Sequence, residues 1–246
     1  MRRAAPRSIK DDTKLPMRTA VAAVIILIFI PAVMALGMLV WNDRQYYIVS
    51  MLMILLSSVP FVLKFESRKP QARELVVLAV MTALAVAGRG AFFMLQQFKP
   101  VVAIVIITGI AFGGEAGFIV GACSGFVSNI FFGQGPWTPW QMFGFGIIGF
   151  LAGVLYKKGM LKRDLVSICV FGGLSTFVIY GLLLDTASLF MFSSNITWKA
   201  LLASYASGLV FNAIHASATV IFLLLLTNPM LDKLDRIKTK FGLLET

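Results

Sequence analysis

Eight apolar runs joined by short polar turns fill most of this chain, and they limit what it can become. The runs fall at residues 19–40, 46–64, 74–94, 101–112, 116–132, 141–156, 164–184 and 199–226. About 20 consecutive apolar residues cross a bilayer as a helix. In lipid every backbone N–H and C=O must be satisfied internally, which a helix does within itself. The pattern therefore predicts an all-α integral membrane protein of eight hydrophobic elements. Charged residues make up only 13% of the chain, against about 25% in soluble domains. The run at 101–112 is short for a span, and Gly113-Gly114-Glu115 breaks it. No small-residue cleavage pattern follows the first run, so it reads as a retained helix and not as a removed leader.

A net charge of +11 in a soluble protein would point to nucleic acid. Here the placement of the charge gives a different reason. Lys and Arg gather in the tail 1–18, in the linker 65–73 with Lys64 beside it, in the turn 157–163 and in the tail 229–246. Of the 22 basic residues, only Arg44, Lys99 and Lys199 fall at the opposite ends of the runs, with Arg89 inside one. Positive residues favour the cytoplasmic side. With eight crossings, both termini are expected in the cytoplasm and the loops 95–100, 133–141 and 186–198 outside. The expected division is a basic tail at 1–18, a transmembrane hairpin at 19–64, a charged linker at 65–73, a six-helix membrane domain at 74–228 and a cytoplasmic tail at 229–246.

No enzyme constellation is present. The chain lacks the Walker A pattern Gly-x-x-x-x-Gly-Lys-Ser/Thr and lacks His-Glu-x-x-His. His215 is the one histidine, and Cys123 and Cys169 sit within apolar runs without metal-ligand spacing. Catalysis, a metal and a cofactor are not expected. Polar residues instead collect toward the end that carries Gly133-Gln134-Gly135-Pro136-Trp137-Thr138-Pro139-Trp140-Gln141. Its glycines and prolines argue against a continuous helix, so it reads either as a pocket wall or as an interfacial turn with tryptophan anchors. Polar groups at membrane depth face the bundle interior or a cavity by default. On that ground Arg89, Asn129, Gln134, Trp137, Trp140, Gln141, Asn195 and Tyr205 are the candidate substrate contacts. Snorkelling is the alternative for Arg89, and an interhelical hydrogen bond is the alternative for Asn212 and His215. Apolar walls with a few amides suit a small, mostly uncharged organic ligand.

Small residues recur at helical spacing in Ala79-x-x-x-Ala83-x-x-x-Ala87, Gly117-x-x-x-Gly121-x-x-x-Gly125 and Gly149-x-x-x-Gly153. Such stripes mark close helix contacts, within the bundle or with another chain.

Thr82 to Arg89, Lys99-Pro100, Thr108-Gly109, Gly113-Gly114-Glu115-Ala116-Gly117-Phe118, Gly121, Ser128-Asn129 and the 133–141 run follow one another in order. In this, residues 72–228 resemble the substrate-binding S component of energy-coupling factor (ECF) vitamin transporters. The resemblance implies a six-helix bundle in a prokaryotic plasma membrane, here preceded by an extra two-helix hairpin. It also implies a protein that captures a vitamin outside. That protein docks on a transmembrane coupling subunit carrying two cytoplasmic ATPases, and topples to release its ligand. Ala79, Ala83 and Ala87 would then form the coupling-subunit interface. The Trp-Thr-Pro-Trp loop is similar to members assigned to corrinoids, which implies cobalamin or a relative. A queuosine precursor, α-ribazole and pantothenate are the alternatives within the family. Outside it, a self-contained secondary transporter would have only Arg89, Asp185 and His215 to serve a coupling ion, and these lie in different helices.

Overall fold

The computed structural model describes residues 17–41, 46–65, 72–193 and 197–241. Most of the basic tail, most of the charged linker and Asn195 lie outside the described residues. The described chain is helical, with no strand. Its eight rods are α1 (residues 17–41), α2 (Tyr46–Phe65), α3 (Ala72–Ala91), α4 (Val101–Phe112), α5 (Gly114–Phe132), α6 (Trp137–Lys157), α7 (residues 165–192) and α8 (Trp198–Phe241). Six of them are long and apolar enough to cross a membrane, and α4 is shorter.

α4 is the axle of the bundle. All twelve of its residues are buried, as an all-round apolar helix requires. At about 18 Å, by the helical rise, it cannot cross the hydrocarbon alone. It ends at Gly113, whose φ of 97° is open to glycine and costly for other residues. The chain then turns straight into α5.

The closest packing joins α4, α5 and α6 through glycine. A Cβ built on Gly117 would stand 2.5 Å from the Gly149 carbonyl oxygen, and one on Gly149 would stand 2.6 Å from the Gly117 oxygen. The two backbones therefore touch, and no side chain fits between them. The glycine stripes of α5 and α6 are thus contacts within this chain. Around this centre, α3 packs on α4 and α5, and α8 packs on α4 and α7. In the N-terminal hairpin, α2 lies against α5 and α6, and α1 lies against α2.

Two boundaries differ from the sequence reading. The non-helical stretch expected at 133–141 is only 133–136, and Trp137 to Gln141 form the first turn of α6. Pro139 sits where backbone N–H groups have no intrahelical partner, so its missing donor costs nothing there. The loop expected at 186–198 is also shorter, because α7 runs on to Phe192. Its polar residues read as loop because their partners are on α8. Asn212 donates to the Asp185 carboxylate at 2.8 Å, and the Ser204 hydroxyl donates to the Asp185 carbonyl at 2.8 Å. Within α7, a π-helical stretch spans Ser175–Gly181. Such wide turns often occur at functional sites.

At 44 residues, α8 is far longer than a bilayer needs. Its last part lies against the basic end of the bundle, with Leu231 and Leu234 buried. Lys238 Nζ donates to the Ala111 carbonyl in the last turn of α4 at 2.8 Å. Arg163 pairs with Asp235 at 2.5 Å.

Gly149→Ala is expected to lower stability by about 1–3 kcal/mol, because the added methyl strikes backbone that cannot move aside. Gly90→Ala, whose Cβ would meet only the Phe132 ring at 3.4 Å, should stay within about 0.5 kcal/mol. Thermal unfolding of the two variants in one lipid environment measures the difference.

Candidate functional site

Asn129, near the end of α5, is fully buried and ties three helices together. Its Oδ1 accepts from Arg89 Nη1 of α3 at 2.8 Å. Its Nδ2 donates to Thr138 Oγ1 at 3.0 Å and to Gln141 Oε1 at 2.9 Å, both on α6. The same Arg89 nitrogen donates to Ser128 Oγ at 2.5 Å. Thr138 Oγ1 also accepts the Gly135 backbone N–H at 3.2 Å. A buried amide left with no partner would cost its full desolvation, so this network fixes how α3 and α6 meet α5. It also leaves the Arg89 guanidinium at the edge of a cavity, with its carbon 5.7 Å from the centre of the Phe132 ring, within cation–π range.

The cavity holds about 280 Å³ and opens beside the segment 92–100. Five rings wall it: Phe93, Phe132, Phe145, Tyr180 and His215. Tyr180 stacks on Phe145 with centroids 4.8 Å apart, and the His215 ring meets Tyr180 edge-on at 4.8 Å. Gln96, Gln97 and Gln141 supply amides, and Arg89 and Lys99 supply positive charge. Gln97 adopts a left-handed backbone with φ 58°, which turns the chain sharply back toward α4. Lys99 Nζ donates to the carbonyls of Phe92, Phe93 and Leu95. It thereby gathers the carbonyls of the turn that follows the C-terminus of α3, where a cation is favoured. Burial first, and repulsion from Arg89 second, hold the Lys99 ammonium below its ordinary range.

Of the residues singled out in the sequence, Arg89 and Gln141 line the cavity and Asn129 stands directly behind them. Gln134 turns away and donates to the Phe126 carbonyl at 3.0 Å. The Trp137 ring covers the Gly135 backbone. Trp140 faces Phe190 of α7, with centroids 6.5 Å apart. Tyr205 is paired with Thr186 at 2.9 Å between α7 and α8. None of these four lines the cavity. Sequence reasoning used Lys99 in the charge count and in the ordered motifs but not as a candidate contact, and it passed over Phe132 and Phe145. Phe145 lies four residues after Gln141, hence on the same helix face, and that spacing was the available signal.

A second hollow, apolar and about 560 Å³ in volume, runs along the outside of the bundle between α3 and α5. One wall carries Ala79, Ala83 and Ala87, and the other carries Ile119, Cys123 and Val127.

The model of the family described as "ECF-type riboflavin transporter, S component" matches residues 69–231. The chain belongs to this family. Its six long apolar helices fit a multi-pass membrane protein of that family. Shorter similarities reach a UPF0397 protein of Vibrio atlanticus, 33% identical over 99 residues, covering 37% of this chain and 54% of that protein. A UPF0397 protein of Aliivibrio fischeri is 32% identical over 88 residues, covering 34% of this chain and 48% of that protein. The chain thus spans about half the length of the curated relatives it matches. No solved structure matches.

Replacing Asn129 with Leu should cost about 2–4 kcal/mol, since it takes one of the two acceptors from Arg89 and leaves the Gln141 side-chain oxygen without its donor. Thr138→Val removes one acceptor and should cost about 1 kcal/mol. Denaturation midpoints of both variants, compared with the parent, check the order.

Proposed function

We propose that this S component captures a compact micronutrient with a flat ring system from outside the cell. It hands that ligand on through a coupling subunit with two ATPases. The observation that carries the ligand reading is the cavity itself: five rings, three amides and two cations around about 280 Å³. Pockets for small organic molecules run from about 300 to 1,000 Å³, so this one seats a single fused-ring system. Stacking between Phe132, Phe145 and Tyr180 would hold the ring faces. The amides and cations would meet carbonyl or hydroxyl groups at the edges. The family's description makes riboflavin the first compound to test.

A corrinoid is the second reading. It is favoured by the exposed Phe93 and Met94 at the cavity mouth, where Met94 is 89% exposed. A ligand larger than the cavity would insert one edge and rest the remainder on that rim. The charge distribution supports an outward-facing mouth and cytoplasmic termini.

The apolar hollow beside Ala79, Ala83 and Ala87 fits an incoming helix, because small residues let backbones approach closely. It is the surface proposed for the coupling subunit.

Purified protein titrated with riboflavin and with cobalamin, followed by tryptophan fluorescence and thermal midpoint, decides between the two ligands. Binding of neither, at concentrations up to about the 1 mM that marks weak association, would refute both. Ala83→Trp should abolish co-purification with the coupling subunit and leave the unfolding midpoint and ligand titration unchanged. Intact assembly in that variant would count against the surface.

A further inference from the structure

Among the described residues, the cavity lining carries two cations and no counter-charge. Among the residues that line it, Arg89 and Lys99 are charged and none is a carboxylate. Arg89 is held only by neutral acceptors, Ser128 Oγ and Asn129 Oδ1, and both bonds leave from Nη1. An arginine fork has five N–H donors. The donors on Nε and Nη2 have no hydrogen-bond partner among the described residues. Among the described residues, Lys99 is likewise held by carbonyl oxygens alone. The described acids of the membrane helices are elsewhere. Glu74 and Glu115 lie in the first turns of α3 and α5, at the far end of those helices from Arg89 and Asn129. The Asp185 carboxylate accepts from Asn212 between α7 and α8.

Keeping a guanidinium partly out of water without an opposite charge is unfavourable, and a second cation beside it adds repulsion. Neither group closes an ion pair among the described residues. A planar fork with a free edge beside an ammonium is the donor set that binds carboxylate or phosphate strongly and with defined geometry. The Phe132 face attracts Arg89 but carries no net charge to balance it. We infer that the ligand of this cavity presents an acidic group, a carboxylate or a phosphate, to Arg89 and Lys99. This rests on reading the cavity as the ligand site, and it replaces the mostly uncharged ligand expected from the amide and aromatic residues alone.

The test uses the full chain in nanodiscs of uncharged lipid. Its unfolding midpoint is compared at one ionic strength set with chloride, inorganic phosphate or acetate. Phosphate or acetate should raise the midpoint above chloride in the parent protein and not in Arg89→Gln or Lys99→Gln. The anion that gives the larger rise distinguishes a phosphate site from a carboxylate site. One midpoint in all three salts, or a rise that both variants keep, would overturn the inference. The latter result would assign the rise to general salt exclusion.

A second arm needs only the parent protein, so it stands even where a variant fails to fold. Riboflavin is compared with riboflavin 5′-phosphate, and cobinamide with cobalamin, whose nucleotide loop carries a phosphodiester. The phosphate-bearing member of a pair that binds should do so about tenfold more tightly or better. Equal or weaker binding of that member would sink the proposal. Should neither pair bind while the inorganic anion still protects Arg89-dependently, the flat-ring reading fails and the acidic group stands.

Discussion

The bundle depends on bare backbone contact between α5 and α6. Gly117 and Gly149 leave no room for a methyl group between the two helices. Apolar side chains gain little from leaving apolar lipid for one another, so closeness of fit has to hold membrane helices together. That fit has consequences at the other end of the same pair. There the helices remain near enough for Asn129 to reach Thr138 and Gln141 directly. Once those bonds form, Asn129 has an oxygen to offer Arg89. The position of the one charged residue in α3's last turn thus follows from a glycine contact several turns away.

The fold could be read from the sequence to a large extent, because both signals behind it are local. Apolar runs gave eight rods, and turn residues gave their order. The glycine at 113 marked the one abrupt reversal. The misread boundaries share a cause. Polar residues such as Asp185 and Thr186 look like loop when no partner is in view, and here their partners are on α8. Pro139 looks like a helix breaker, but its effect depends on which turn of the helix it occupies. In both cases an interaction or position outside the local window decided the outcome.

The site was less legible for a related reason. Arg89 and Gln141 could be found, since polar groups at membrane depth stand out. Trp137 and Trp140 stood out as well, yet the structure directs them to Gly135 and Phe190. Cavity walls come from residues that look ordinary in a linear reading. Phe132 and Phe145 are two of 21 phenylalanines, and nothing in their immediate neighbours separates them from core. The converse holds for Lys99, whose charge is conspicuous but whose place beside Arg89 comes from the left-handed turn at Gln97.

The unusual length of α8 has one more consequence. His215, in the cavity wall, and Lys238, on the last turn of α4, belong to a single uninterrupted helix. They are 23 residues apart in number, about 35 Å along the axis by the helical rise. Pro229, between them, removes one hydrogen bond from the ladder. The cavity wall and the clamp at the basic end are therefore two stations on one helix, with its weakest turn between them.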